Sequence, residues 1–324
     1  MIEVTNLTKR YGTFTAVDDL SFSVRPGIVT GFLGPNGAGK STTMRMILGL
    51  DRASGGSATV NGRRLVDHNA PLTEIGSLLE AKAVHPKRSA RNHLTAMAVT
   101  NGIPRSRVDE VLEIVGLSEV ADRAAGQFSL GMGQRLGIAS ALLGDPGTVM
   151  LDEPVNGLDP EGVLWIRHLL QDLAAEGRTV LVSSHLMSEM ALTAEHFVII
   201  GQGRLIADVT SAELQAMAPE ASVIVRSPEV GRLRTLLAGD GVTTSTIADV
   251  AGTNGVGPAA GLSVVGLDAA TIGRVAADNA IPLTELTNQH STLEQIFMDL
   301  TAESVTYSAH RLIEQPAPLS EVAA

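Results

Sequence analysis

The sequence has no cysteine among its 324 residues, and it has no surplus of positive charge. Disulfide bonds and metal sites built on thiolates are therefore excluded. Its 24 basic residues are outnumbered by 35 acidic ones, which gives a formal net charge of −11. Proteins that bind nucleic acids usually present a basic surface, so we expect no nucleic-acid partner.

Long hydrophobic runs are missing as well. The longest apolar runs, such as Phe197 to Ile200, are far shorter than the ~20 residues that a membrane-spanning helix needs. The opening residues, MIEVTNLTKRYG, lack the long apolar core of a signal peptide. We therefore expect a soluble, cytosolic chain whose role at a membrane, if it has one, depends on a partner.

What the sequence does contain is a phosphate-binding loop. Gly34 to Thr42 reads GPNGAGKST and fits the pattern G-x-x-x-x-G-K-[ST], between a predicted strand at Ile28 to Leu33 and a predicted helix at Thr42 to Leu50. Glycines let the backbone N–H groups point at phosphate oxygens, and the N-terminus of the helix adds positive charge. Lys40 is expected to reach the terminal phosphates, and Ser41 to bind Mg²⁺. The predicted nucleotide-binding residues of this loop are Gly34, Pro35, Asn36, Gly37, Ala38, Gly39, Lys40, Ser41 and Thr42.

A pair of acidic residues ends a second buried strand. The run TVMLDEP has three apolar residues before Asp152 and Glu153, which indicates a parallel strand with both acids at its carboxyl end. Ligands of open α/β sheets bind at this edge. Asp152 is expected to hold Mg²⁺ with Ser41, and Glu153 to orient or deprotonate a water. His185 follows another buried strand, TVLVSS, and this position favours a functional role over a structural one.

Two further residues have both a functional and a structural interpretation. Tyr11, one of only two tyrosines, either stacks on an adenine base or covers the sheet as a turn aromatic. Ser129 is a suitable N-cap for a helix that runs to Leu143. A glycine-bearing helix N-terminus is also a potential phosphate site, although without the phosphate loop a simple cap would be the better interpretation.

Short strands and helices account for most of the remaining pattern. Ile2 to Val4 is predicted to begin an edge strand, and Asn61-Gly62 to form a hairpin turn. The segment from Ala90 to Leu117 is predicted to be helical, with breaks at Pro104 and Gly116.

The last third of the chain changes in composition and shows no chemical motif. Strands are predicted at Val223 to Val225 and Leu262 to Val265, and helices at Glu229 to Ala238 and Ala269 to Ala280. Ala248 to Ala260 is rich in glycine and alanine and predicts a mobile loop. Ser291, three residues before Glu294, predicts a capping box at the start of a last amphipathic helix.

The order of these motifs resembles the nucleotide-binding subunit of an ATP-binding cassette (ABC) transporter, over about Met1 to Leu214. The motifs follow one another as an aromatic residue, the phosphate loop, a loop at Glu80, a signature at Ser129 to Met132, the acid pair, a turn to Asp159 and a histidine. The glutamate at position 80 resembles exporters of the bacitracin- and lantibiotic-resistance type, and the closing helix resembles the daunorubicin-resistance type.

The resemblance implies an α/β fold with a phosphate-loop ATPase core, an antiparallel β subdomain and a helical subdomain at about 85–145. It implies a nucleotide-binding domain at 1–214 and a small α+β accessory domain at 221–302. Residues 303–324 are expected to be a flexible tail.

The resemblance also assigns roles to individual residues. Tyr11 becomes the adenine-stacking residue, and Ser129 and Gly131 would contact the γ-phosphate of an ATP held by the opposing subunit. Glu80 would join the metal site, and Asp159 the nucleotide site, while Glu153 and His185 would be catalytic. Two chains would then bury two ATP molecules with Mg²⁺ in a head-to-tail homodimer. The remaining partner would be a membrane permease on a separate chain, at the cytoplasmic face of the membrane.

The sequence departs from the usual motifs of this family at two places. The usual signature L-S-G-G-Q reads FSLGM here, and Leu130 and Met132 remove the polar contacts of the glutamine position. Glu80 stands where glutamine is usual, and its carboxylate would either bind Mg²⁺ more directly or repel the other acids.

The alternatives to an exporter subunit are a soluble ABC-type ATPase in translation or DNA repair and a nucleotide sensor without turnover. The single cassette and acidic balance disfavour the first, and Glu153 and His185 disfavour the second.

Overall fold

The computed structural model describes residues 1–80, 83–185, 187–217, 222–247, 261–289 and 292–302. Its strands are β1 Ile2–Tyr11, β2 Phe14–Val24, β3 Val29–Leu33, β4 Gly55–Val60, β5 Ile75–Leu78, β6 Thr148–Asp152, β7 Thr179–Ser184, β8 His196–Gly201, β9 Arg204–Thr210, β10 Ser222–Arg226, β11 Thr243–Ile247, β12 Gly261–Val265 and β13 Glu285–Gln289. Its α-helices are α1 Lys40–Ile47, α2 Pro71–Glu74, α3 Ala90–Thr100, α4 Ser106–Ile114, α5 Leu130–Leu142, α6 Pro160–Ala175, α7 Met187–Ala191, α8 Ser211–Ala216, α9 Val230–Leu237, α10 Ala269–Asp278 and α11 Leu293–Thr301.

The described chain divides into two compact units. The first comprises Met1–Ser211 together with residues 298–302, and the second is Ala212–Phe297. The domain limits expected from the sequence, 1–214 and 221–302, stay a prediction. No α-helix in the described part of the chain is long and apolar enough to cross a membrane.

A six-stranded sheet with the order β5-β6-β7-β3-β8-β9 forms the centre of the first unit. The first five strands are parallel, and β9 pairs antiparallel with β8. Every residue of β3 and β7 is buried, as expected for parallel strands that are covered on both faces. Because these strands share one direction, the residues that follow β3, β5, β6 and β7 meet at one edge of the sheet.

A three-stranded antiparallel sheet with the order β2-β1-β4 packs beside it. The prediction that Ile2 begins an edge strand is wrong, because Ile2 pairs with Val24 on one side and with Val60 on the other. The alternation at the start of β1 indicates a strand but not its neighbours, and β4 lies some fifty residues further along. One hydrophobic core joins this sheet to α1 and the central sheet, with Phe22 stacked on Phe32 at 5.3 Å between ring centres.

Helices α3, α4 and α5 form the helical part of this unit. The predicted helical segment from Ala90 to Leu117 is confirmed as two helices, interrupted around Pro104. Each helix buries one apolar face, with Leu94, Leu112 and Leu136 fully enclosed. The predicted turn at Asn61-Gly62 is also confirmed, by paired backbone hydrogen bonds between Val60 and Arg63.

The second unit is an antiparallel sheet covered by two helices. Its strand order is β11-β12-β10-β13, and the chain order β-α-β-β-α-β is that of a split βαβ, or ferredoxin-like, arrangement. The buried residues are Val223, Val225, Leu233, Leu237, Leu262, Val264, Ile272, Ala276 and Ile281. This α+β architecture agrees with the expected fold class, which is confirmed for both units.

Several terminal predictions fall outside the described residues. These are the loop at Ala248 to Ala260, the capping residue Ser291 and the tail from 303. The N-terminus of α11 is capped within the described part by Thr292, whose Oγ1 accepts the Gln295 N–H at 3.2 Å.

Candidate functional site

The phosphate loop connects β3 to α1 and depends on two glycines for different reasons. Gly39, the residue before α1, has φ 103°, and a Cβ there would lie 2.7 Å from the carbonyl oxygen of Ala16. A Cβ on Gly34 would lie 2.5 Å from the carbonyl oxygen of Ile200. These distances leave no room for a side chain, so the backbone itself lines the cradle.

The turn between β8 and β9 supports the loop from behind. Gly203 donates its N–H to the carbonyl of Ala38 at 3.0 Å, and its own carbonyl accepts the N–H of Asp18 at 2.9 Å. The turn therefore links the loop, through Ala38, to Asp18 of β2. This turn was not predicted from the sequence, although the dipeptide Gln202-Gly203 after an apolar run is a recognisable turn signal.

Lys40 is the first residue of α1, and its side chain extends back across the phosphate loop. Its side chain is almost fully buried, and Nζ donates to the carbonyls of Gly34 at 2.7 Å and Pro35 at 3.3 Å. Burial lowers the pKa of the Lys40 ammonium, and the carboxylates of Glu153 and Asp152 oppose that shift. A nucleotide phosphate offers this ammonium a charged acceptor, which forms a stronger hydrogen bond than a carbonyl does.

Ser41 and Asp152 meet across the sheet although 111 residues separate them. Ser41 Oγ donates to Asp152 Oδ2 at 2.6 Å. A hydroxyl and a carboxylate are hard oxygen ligands, and Mg²⁺ in nucleotide sites uses one or two protein oxygens beside phosphate and water. The chemistry of this pair fits the roles at Mg²⁺ that the sequence predicts for Ser41 and Asp152, and these roles stay predictions.

Glu153 and His185 form a pair at the same edge. His185 Nδ1 lies 2.6 Å from Glu153 Oε2, so each side chain orients the other. Glu153 has φ 51°, in the left-handed region that costs an L-residue about 1–2 kcal/mol. Strained backbone of this kind is common where a side chain must be aimed at a reacting group.

Two residues without a predicted role, Ser183 and Gln134, hold the acids Asp152 and Glu153. Ser183 Oγ donates to the carboxylate of Asp152 and accepts the N–H of Glu153 at 3.0 Å. Gln134 Nε2 donates to the carbonyl of Glu153 at 3.2 Å. For Ser183 a signal existed, because it is a polar residue at the carboxyl end of an otherwise apolar buried strand.

The signature segment begins α5. Ser129 is the N-cap, is exposed, and accepts the Met132 N–H at 3.2 Å. A Cβ on Gly131 would lie 2.9 Å from the carbonyl oxygen of Gly157, so this end of α5 packs closely on the loop after Glu153. The predicted helix is confirmed, whereas the γ-phosphate contact assigned to Ser129 and Gly131 stays a prediction.

Tyr11 lies at the tip of the β1–β2 hairpin with half of its surface exposed. Its hydroxyl donates to Asp51 Oδ2 at 3.4 Å, and Asp51 is paired with Arg45 of α1 at 2.8 Å. The ring is thereby tied to the helix that follows the phosphate loop. Phe14 is the cross-strand partner of Tyr11 and is 64% exposed, which makes it a second aromatic residue at this tip.

Glu80 and Asp159 follow the strands β5 and β6 in the chain. Glu80 is exposed two residues beyond β5, the neighbour of β6, and its carbonyl accepts the Ala83 N–H at 3.3 Å. Asp159 caps α6, since its side chain accepts the Gly162 N–H at 2.9 Å. Their assigned roles at the metal and the nucleotide stay predictions.

Known proteins match both parts of the chain. Residues 17–156 match the family model described as ABC transporter, and residues 221–294 match one described as a domain of unknown function (DUF8746). The bacitracin transport ATP-binding protein BcrA of Bacillus licheniformis is 43% identical over 212 residues, which cover 64% of this chain and 69% of that protein. The lantibiotic transport ATP-binding protein SrtF of Streptococcus pyogenes is 37% identical over 206 residues, with 64% and 89% covered.

A solved structure agrees with these relatives. The dimeric structure of a bacterial ABC transporter cassette has a TM-score of 0.61 and 25% identity, over 65% of this chain and 99% of that one. The alignment thus spans almost a whole cassette. The chain belongs to the ATP-binding subunits of ABC transporters, a family of ATPases, as the resemblance in its sequence predicted.

Proposed function

We propose that this chain hydrolyses ATP to energise the export of antibiotics or similar amphipathic compounds through a separate membrane permease. Relatives of this chain are named for transport of bacitracin and of lantibiotics. The observation that carries the ATPase chemistry is the cluster at one sheet edge, where Ser41 contacts Asp152 at 2.6 Å and Glu153 contacts His185 at 2.6 Å. A soluble ATPase in translation or DNA repair is not favoured, because these relatives are transport proteins.

In this proposal ATP binds with its phosphates in the loop at Gly34 to Thr42. Mg²⁺ would be held by Ser41 and Asp152, where it would neutralise charge on the phosphates. Glu153 accepts the proton of the attacking water, and His185 holds the Glu153 carboxylate in place from one side. Glu80 is proposed to assist at the metal from the neighbouring strand end.

A second copy of the chain completes the site. Ser129 is exposed at the N-terminus of a 13-residue helix, and such an end attracts anions. In a head-to-tail dimer the Ser129 end of one chain would cover the γ-phosphate held by the other. The relative with the solved dimeric cassette supports this arrangement.

A groove next to the signature is the proposed docking site for the permease, at the cytoplasmic face of the membrane. A cavity of about 540 Å³ is lined by Val84, Pro86, Phe128 and Leu130, among others. It joins the segment after Glu80 to the start of α5. A permease segment held there would touch both of these elements, each of which is proposed to contact nucleotide.

Mixed dimers test the composite site. A Lys40→Ala chain lacks the phosphate-binding ammonium, and a Ser129→Arg chain has a bulky cation at the signature. In a mixed dimer both defects fall in one site, so the other site is intact. We expect hydrolysis in the mixture to exceed that of either variant alone, in an ATPase assay on purified chains. No recovery in demonstrated mixed dimers would contradict the composite site.

A further inference from the structure

The main chain of Glu153 is held by two side chains. Gln134 is 5% exposed, and its Nε2 donates to the Glu153 carbonyl at 3.2 Å. Ser183 Oγ accepts the Glu153 N–H at 3.0 Å. Buried polar side chains nearly always have a hydrogen-bond partner, and here the partner of Gln134 is the backbone of the proposed water-activating acid.

These two bonds matter because of the backbone conformation between them. Glu153 has φ 51°, which an L-residue adopts only where its surroundings fix it. Holding the N–H on one side and the carbonyl on the other fixes both peptide planes. The direction of the carboxylate toward His185 therefore depends on Gln134 as well as on Ser183.

Gln134 belongs to α5, and the helix is firmly anchored at this point. The next residue, Arg135, donates to the carbonyl of Val115 at 3.1 Å, and its guanidinium lies 4.7 Å from the ring centre of Trp165 in α6. The beginning of the same helix is Ser129. Gln134, whose side chain holds the acid, therefore lies only five positions after Ser129 at the exposed end of α5.

We propose that Gln134 is a positioning residue for hydrolysis that acts on Glu153 of its own chain. Each α5 then serves two sites, because Ser129 contacts the nucleotide held by the other chain while Gln134 orients the acid at the nucleotide of its own chain. This inference rests on the proposed function, in particular on Glu153 as the base and on the head-to-tail dimer.

The first test is Gln134→Met, which keeps the length of the side chain and removes its donor. Loss of one neutral hydrogen bond predicts that kcat falls about fivefold to tenfold. KM for ATP should stay near the wild-type value, because the phosphate loop is unchanged. The matched control is Gln171→Met, since Gln171 Nε2 also donates to a main-chain carbonyl, that of Leu192, at 3.2 Å but on α6. The control should keep the wild-type kcat.

The second test separates an effect through Glu153 from an effect through Ser129. In the mixed dimer of Lys40→Ala and Ser129→Arg chains, the intact site uses Glu153 of the Ser129→Arg chain and Ser129 of the Lys40→Ala chain. Gln134→Met should lower hydrolysis about fivefold to tenfold when it is on the Ser129→Arg chain. It should have no effect when it is on the Lys40→Ala chain.

The results distinguish an effect of Gln134 on Glu153 of its own chain from an effect on Ser129. A loss that follows the Lys40→Ala chain, or that is equal for both placements, would overturn the inference, as would an unchanged kcat in the homogeneous Gln134→Met protein. Absence of activity in the parent mixture would instead refute the composite site, and the kcat and KM of the homogeneous variant would still decide the role of Gln134. Should the methionine variant be too unstable to assay, Gln134→Glu also keeps the length, lacks the donor, and should lower kcat at least as much.

Discussion

Ser183 holds both acidic residues of the site through one hydroxyl group. It donates to the carboxylate of Asp152 and accepts the N–H of Glu153. Its own side chain is fully buried, so no water replaces either bond readily. A single residue of β7 thus sets the positions of the metal ligand and of the proposed base.

Replacing Ser183 with alanine should therefore affect both acids at once. We expect kcat for ATP hydrolysis to fall about tenfold or more, because a buried N–H loses its acceptor and a carboxylate loses its donor. Steady-state ATPase assays at saturating Mg²⁺ test this. The control is Ser140→Ala, whose hydroxyl donates to Leu136 within α5 at 3.0 Å, and it should keep the wild-type rate. Equal rates for both variants would contradict the role of Ser183.

Sequence motifs located most of the site residues, but not these supporting contacts. Lys40, Asp152 and His185 could be predicted because each follows a recognisable loop or strand, and parallel strands end at one edge. The pairing of Ser183 with Asp152 depends on the register of β6 and β7, which a single sequence does not encode as a local pattern. The contact from Gln134 depends on tertiary packing in the same way.

At the scale of elements, the N-cap residue of α5 combines a structural role with a proposed functional one. Ser129 caps the helix through the Met132 N–H, and the same end is proposed to face a γ-phosphate. An ordinary loss-of-function variant would disturb both roles. A substitution that keeps the cap and changes the charge can separate them.

Ser129→Asp is such a substitution, because aspartate caps helices about as well as serine. We expect thermal stability near the wild-type value but ATP hydrolysis at least about tenfold lower, since the carboxylate would repel a γ-phosphate in contact with it. The reverse exchange in the second unit, Asp268→Ser, is the control, because Asp268 caps α10 through the Thr271 N–H at 2.7 Å. Wild-type hydrolysis by Ser129→Asp would show that no phosphate approaches this end.

Strands with a clear apolar pattern in their sequence could be predicted, and strands without one could not. The apolar strands β3, β6 and β7 were found, whereas the outer strands β11 and β13 were not, because their sequences TTSTI and ELTNQ are mostly polar. Neither has the alternation that marks a half-buried strand. The central position of β1 could not be predicted either, since it requires a partner strand distant in sequence.

At the scale of the whole molecule, the proposal requires that loss of the γ-phosphate change the conformation of the permease. Glu80 lies at the sheet edge beside β6, and Val84 and Pro86, just after it, line the proposed docking groove. Because Glu80 follows a strand that neighbours β6 and precedes the groove residues, it is suited to pass a conformational change from the proposed metal site to the groove.

Glu80→Ala should therefore impair transport more than hydrolysis. We expect nucleotide binding to persist, hydrolysis to fall less than about threefold, and export to fall about tenfold. Glu80→Gln keeps the length and one acceptor oxygen, so it should stay closer to wild type. Both rates are measured in the same vesicles with the cognate permease. An equal loss of the two rates for Glu80→Ala would leave Glu80 as a metal ligand only.

The most direct measurement is ATP hydrolysis by the Glu153→Gln chain. The amide keeps the shape of the side chain but does not accept the proton of the attacking water, whereas the phosphate loop is untouched. We predict an ATP affinity like that of wild type, hydrolysis reduced by about 10²-fold or more, and accumulation of an ATP-bound dimer in light scattering. Hydrolysis near the wild-type rate would contradict the assignment of Glu153 as the base.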